Sequence, residues 1–155
     1  MKLVKYPNDI LGVKCELVTE FTPEFHQILD DMHQIMVDNN GIGLAANQIG
    51  ISKRFFVMKD MKGKLWDFIN PKIVSTDGSF AINEGCLSAP GVNLIIPRFQ
   101  YVTVEAQDRH GEPFKIGAQD IEAVCIQHEY DHLEGVFFLE KVSRQQRRAA
   151  LRSMK

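Results

Sequence analysis

The stretch Gln127-His128-Glu129-Tyr130-Asp131-His132-Leu133-Glu134-Gly135 carries the spacing His-Glu-x-x-His. Residues four apart on an α-helix stand one above the other on one face, so His128 and His132 can each aim a ring nitrogen at the same point. Glu129 sits one step round, beside that point. Two imidazoles on a divalent transition metal, with a carboxylate next to the water it activates, is the chemistry this pattern describes. The same spacing also fits a surface helix that merely carries two histidines. Local context favours the metal. Ala123, Val124, Ile126 and Leu133 supply an apolar face, Asp120 is placed to cap the helix start, and Gly135 is placed to stop it. A packed helix holds its histidines still.

A catalytic site of this kind needs a third protein ligand. The chain has three cysteines, Cys15, Cys86 and Cys125, and an odd count without a secretory signal speaks for reduced thiols. Cys86 lies between Gly85 and the turn-rich Leu87-Ser88-Ala89-Pro90-Gly91 and is the best-placed thiol for a metal. It precedes His128 by 42 positions, so it comes from a separate element. Cys15, among charged residues, reads as a packed or tolerated thiol. His26 and His33 share a helix face with Asp30 and Asp31 and read as solvated, as does His110 in a turn. The small residues of Gly41-Ile42-Gly43-Leu44-Ala45-Ala46 describe either a tight turn and close-packed strand or a backbone that another molecule must approach closely. Next to a metal, the amide of Gln48 could donate to an oxyanion.

Several elements must position these groups. Thr22-Pro23 opens a helix whose Phe25, Ile28, Leu29, Met32, Ile35 and Met36 form an apolar stripe, ending at Asn39-Asn40-Gly41. Phe55–Met58 and Leu65–Ile69 read as strands around a turn, closed by Asn70-Pro71. Ile73–Ser75 and Phe80–Ile82 read as a second hairpin about Asp77-Gly78. Tyr101–Ala106 and Phe114–Ile116 flank another turn. Ser143-x-x-Gln146 opens a short basic helix. With 155 residues, no repeat and no linker-like stretch, the chain reads as a single domain over 1–155 of the α+β class. A net charge of -2 carries no nucleic-acid or membrane signature. No apolar run approaches the ~20 residues of a membrane span, and the N-terminus lacks a signal-peptide core. These features lead us to expect a cytoplasmic protein, a pattern that a trimmed organellar form would share.

Three stretches, taken in order, resemble the signature motifs of the peptide deformylase family: Gly41-Ile42-Gly43-Leu44-Ala45-Ala46-x-Gln48, Glu84-Gly85-Cys86-Leu87-Ser88, and Gln127-His128-Glu129-x-Asp131-His132. The resemblance runs from the Tyr6-Pro7 lead through Leu139. It implies antiparallel strands around a central helix carrying the metal motif, and hydrolysis of the N-formyl group from the initiator methionine of new polypeptides. It implies that Cys86, His128 and His132 hold the metal, that Glu129 moves protons, and that the Gln48 amide and the Leu87 N–H stabilise the oxyanion. Ile42 and Gly43 correspond to the strand edge that pairs with the peptide, with Gly85 facing it. Glu84, Ile121, Val124 and Cys125 resemble the wall of the methionine pocket, although Cys125 reads equally well as a small core residue. A Cys/His/His set suits zinc, iron, nickel or cobalt about equally; Fe²⁺, with Ni²⁺, Co²⁺ or Zn²⁺ able to substitute, rests on the resemblance. Asn93 and Asp120 depart from the common family pattern of Arg and Gly. The basic C-terminal segment is short, as in the truncated forms of phage-encoded members, which gives little for docking on the ribosome. The expected form is a monomer acting on N-formylmethionyl nascent chains. The alternative is another His-Glu-x-x-His amidase or metalloprotease.

Overall fold

The side chain of Thr22 accepts the Phe25 N–H and Pro23 occupies the first position of α1 (Pro23–Asp38), as the cap-and-proline signal requires. After it come β1 (Gly43–Ala45), β2 (Phe55–Lys59) and β3 (Leu65–Asp77), the short β4 (Asn83–Gly85) and β5 (Asn93–Ile95), then β6 (Tyr101–Gln107) and β7 (Pro113–Gln119). The helix α2 (Asp120–Leu133) carries the His-Glu-x-x-His motif, and α3 (Arg144–Leu151) follows. The computed structural model describes residues 1–155. No helix is long and apolar enough to cross a membrane.

Five strands form one antiparallel sheet in the order β1-β2-β3-β6-β7, and β4 pairs with β5 in a separate ribbon. Successive side chains of a strand point to opposite faces, and the apolar clusters divide accordingly. Phe55 and Val57 join Leu29, Met32 and Met36 of α1, while Phe56 and Met58 join Ala123, Ile126 and Leu133 of α2. The sheet is therefore covered by α1 on one face and α2 on the other, which is the expected α+β arrangement of antiparallel strands around the motif helix. A third cluster, with Leu11, Val92, Leu94, Phe137 and Phe138, closes the end of the molecule beside the β4–β5 ribbon.

Three sequence expectations give way here. The hairpin of Ile73–Ser75 with Phe80–Ile82 does not form. β3 instead continues through Asn70-Pro71 to Asp77, and its second half pairs with β6, from Lys72↔Glu105 to Asp77↔Tyr101. Phe80 makes only a bridge to Arg98. Proline cannot donate to a ladder, and the register shift between Ile69 and Lys72 takes it out of the pairing. The shift is held by Asn70, at φ 50, whose side chain accepts the Val18 N–H and donates to the Val18 carbonyl and Gln107 Oε1. Next, Asp120 is not the cap of α2. Gln119 holds that position and Asp120 is the first helical residue, at φ 57, its carboxylate accepting from Gln100. Finally, His33 is not solvated. It is 7% exposed and its Nε2 lies 2.7 Å from Asp67 Oδ1 on β3.

Replacing Asn70 by Ala removes three hydrogen bonds and leaves an unfavourable positive φ. We expect a loss of about 2–4 kcal/mol in urea unfolding. Asn70→Gly, which relieves only the backbone strain, should fall between Ala and wild type. A loss below about 0.5 kcal/mol for the Ala variant would show that the side chain does not anchor the irregularity.

Candidate metal centre

The motif helix is buried along most of its length because Ala123, Ile126 and Leu133 pack under the sheet. That burial carries His128 and His132 inward, to 7% and 1% exposure, with ring centroids 5.0 Å apart. Cys86 arrives from the end of β4. Its Sγ lies 3.5 Å from His132 Nε2, and one donor atom each of Cys86, His128 and His132 come within 4.8 Å of one another. No other His, Cys, Asp or Glu side chains in the chain converge in this way. The thiol and two imidazoles suit a divalent transition metal.

The groups behind these residues are arranged to orient them. His128 Nδ1 is 3.0 Å from Glu84 Oε1, which leaves Nε2 as its free ligand atom. Glu84 is in turn gripped by Arg98, with Nε to Oε2 and Nη2 to Oε1 both at 2.9 Å, and Arg98 Nη1 reaches Asp131 Oδ2 at 2.6 Å. Burial alone would raise the Glu84 carboxyl, but the bonds from His128 and Arg98 outweigh it and hold it below its ordinary value. Glu84 lines the cleft, yet both its oxygens face the histidine and the arginine. Burial would lower His128 as well, but its bonds to Cys86 and Glu84 keep its affinity for a proton well above normal. Burial, with His128 beside it, pushes His132 well down. Neutral His132 is the form a metal requires. Asn47 secures the helix end by donating to the His132 carbonyl at 2.7 Å.

A cavity of about 500 Å³ opens onto this cluster. All the expected site residues except His132 line it: Ile42, Gly43, Gln48, Glu84, Gly85, Cys86, Leu87, Ile121, Val124, Cys125, His128 and Glu129. Asn93 lines it too. Glu129 is 4% exposed and its Oε1 has no partner in the protein. Burial pushes its carboxyl up to about 7, with His128 opposing and Glu84 adding to the rise. Cys125 is also buried, which drives its thiol well above its usual range and makes it a poor ligand or nucleophile. Gly43 is a glycine of necessity: a Cβ there would stand 2.5 Å from Glu129 Oε2 and 2.7 Å from Cys125 Sγ.

Backbone groups are free where a peptide could lie. Ile42 O accepts from Lys59 N at 2.9 Å, on the β2 side. In an antiparallel ladder the next residue turns its N–H and C=O the other way, so Gly43 presents them to the open edge of β1. No backbone acceptor takes the Leu87 N–H. The sequence did not mark Arg98, Asn47, Ser88 or the Arg98-binding Asp131 as part of the site. Their partners lie between 14 and 85 positions away, and no local sequence signal marks them.

The sequence model of the family described as polypeptide deformylase matches residues 1–148. The chain is 41% identical over 145 residues to peptide deformylase 1 of Shewanella oneidensis, spanning 92% of this chain and 86% of that one. Its fold is similar to the crystal structure of a peptide deformylase from Legionella pneumophila, with a TM-score of 0.94 and 38% identity over 98% of this chain and 91% of that chain. It is similar as well to the peptide deformylase from Ehrlichia chaffeensis in complex with actinonin, with a TM-score of 0.93 and 36% identity over 98% and 94% of the two chains.

The buried Glu129 sets a pH dependence. Its folded pKa lies above its unfolded one, so its stabilising contribution is complete below about 4.5 and is lost as pH rises through about 7. In metal-free protein this group alone should remove about 3 kcal/mol of stability across that range. Urea unfolding at pH 5 and pH 8 should show wild type losing stability relative to Glu129→Gln. Parallel pH profiles for the two proteins would contradict the burial argument.

Proposed function

The chain belongs to the peptide deformylase family, and from that premise we propose how its residues divide the work of the reaction. The enzyme hydrolyses the N-formyl group from the N-terminal formyl-methionine of newly synthesised polypeptides and releases formate. Its family is metal-dependent. We assign the metal to Cys86, His128 and His132, and we take Fe²⁺ as the native ion, with Ni²⁺, Co²⁺ or Zn²⁺ able to replace it. The convergence of those three donor atoms within 4.8 Å is the observation that carries the assignment. When bound there, a divalent cation would supply Lewis acidity, which lowers the pKa of water towards neutrality.

The remaining steps belong to the chain's own groups. Glu129 takes a proton from the attacking water at Oε1, the oxygen without a protein partner, and returns it to the leaving amine nitrogen. Burial, which raises this carboxyl above its ordinary value, suits it to both tasks. As the water oxygen bonds to the formyl carbon, the Leu87 N–H and the Gln48 amide donate to the oxyanion that forms on the formyl oxygen. The substrate backbone lies between the free edge of β1 at Gly43 and Gly85 of β4, in the manner of an added strand. Its methionine side chain enters among Ile121, Val124 and Cys125, apolar and soft groups suited to a thioether. The Glu84–Arg98 pair serves the same cavity from behind, by holding His128. A different His-Glu-x-x-His amidase or protease finds no support in the family match.

Formate release from formyl-Met-Ala-Ser, measured with metal analysis on anaerobically purified protein, tests the assignment. Wild type should carry one equivalent of metal and release formate. Glu129→Ala should retain the metal and lose on the order of 10²–10⁴ in turnover. Metal with no formate release from either protein would refute the reading. A thiolate on iron is open to oxidation, so iron-loaded enzyme should lose activity under air while nickel-loaded enzyme keeps it. Equal lifetimes for the two would argue against Fe²⁺ as the working ion.

A further inference from the structure

The Gln48 side chain is 1% exposed and every polar atom on it is engaged. The Ala45 N–H is a donor 2.9 Å away, so the atom facing it must be Oε1. That contact turns Nε2 towards motif residues on the other side of the cleft. Its two hydrogens go to Cys86 Sγ at 3.4 Å and to Ser88 Oγ at 3.2 Å. An amide nitrogen has only two hydrogens. To donate to an oxyanion, Gln48 must therefore release one of these bonds and keep the other.

Ser88 is the partner that stays. It is fully buried, with no water-facing surface to compete for its hydroxyl, and it is fixed through its backbone. Tyr6 N donates to Ser88 O at 2.8 Å, and Val4 N donates to Gln48 O at 2.7 Å. Lys5, between them, reaches Leu87 O with its ammonium at 3.3 Å. The N-terminal lead thus bridges the two segments that carry the oxyanion donors. Cys86 Sγ, by contrast, is a shared group: it lies 3.5 Å from His132 Nε2, belongs to the proposed metal-holding set and borders the position that the reacting carbonyl takes under the proposed function.

We propose that Ser88 is a positioning residue for Gln48. Its Oγ holds one N–H of the amide in place while the other N–H transfers from Cys86 Sγ to the developing oxyanion. No bond to carbon is made or broken by Ser88, and it touches no substrate. The inference rests on the assignment of Gln48 as an oxyanion donor. Preorganised donors of this type lose their advantage when they must reorient during the reaction, so the cost of losing Ser88 falls on the chemical step.

A double-mutant cycle on formyl-Met-Ala-Ser separates the possibilities. Ser88→Ala, close to isosteric in a buried site, should lower kcat about 10-fold with KM and metal content unchanged. Gln48→Ala should lower kcat on the order of 10²-fold, and adding Ser88→Ala to it should cost nothing more. If Gln48→Ala leaves kcat intact, the oxyanion assignment itself fails. If Gln48→Ala is impaired but Ser88→Ala matches wild type, or is equally harmful in both backgrounds, the positioning role fails. A readout independent of turnover uses metal-free wild type. Both Gln48 side-chain amide protons should be protected from exchange with solvent, and Ser88→Ala should speed the exchange of one of them. Fast solvent exchange in wild type, or unchanged exchange in a folded Ser88→Ala protein, would overturn the proposal.

Discussion

The buried contact between Glu84, Arg98 and His128 is the constraint around which the rest of the site is built. It joins β4, the segment after β5 and the motif helix, three parts of the chain with no neighbouring sequence. Removing an ion pair from water is costly unless geometry and additional hydrogen bonds compensate. Here both Glu84 oxygens and all three Arg98 nitrogens are used, with Asp131 taking the third. Loss of one partner would strand a charge beside the Cys86, His128 and His132 cluster. Orientation of His128 and integrity of this end of the fold are therefore one property, not two.

Apolar packing supplies the platform for that contact. The motif helix sits where three clusters meet. Ala123, Ile126 and Leu133 belong to the sheet face, Phe138 and Phe137 meet His128 and His132 edge-on, and Leu87 leans on the α1 side. The rings beside the histidines exclude water from the back of the site. Dispersion contacts and burial then fix the imidazole planes more firmly than a surface helix could. The glycine at position 43 follows from the same density, because Glu129 and Cys125 occupy the space a side chain would need.

Burial also tunes reactivity, and it does so differently for neighbouring groups. Glu129 is raised towards neutrality because it has few partners, while Glu84, equally buried, is held low because it has many. Two carboxyl groups lining the same cavity are thus shifted in opposite directions, one towards neutrality and one below its ordinary value. A thiol in the same wall, Cys125, is made inert by the same desolvation.

Local chemistry written into the chain was enough to identify the motif helix, the capped α1, most strand segments and the thiol paired with the two histidines. Those features depend on residue type and spacing over a few positions, where cap geometry and helix periodicity act directly. The chain alone did not reveal that Asn70-Pro71 is a bulge within one long strand, since pairing with Tyr101–Glu105 decides it across some thirty positions. Nor did it show His33 bonded to Asp67, or Gln48 saturated by Ala45, Cys86 and Ser88. The donor role of an amide can be anticipated from its place in a motif. The partners that already hold its two hydrogens cannot, because they depend on what tertiary packing brings within 3.5 Å of it.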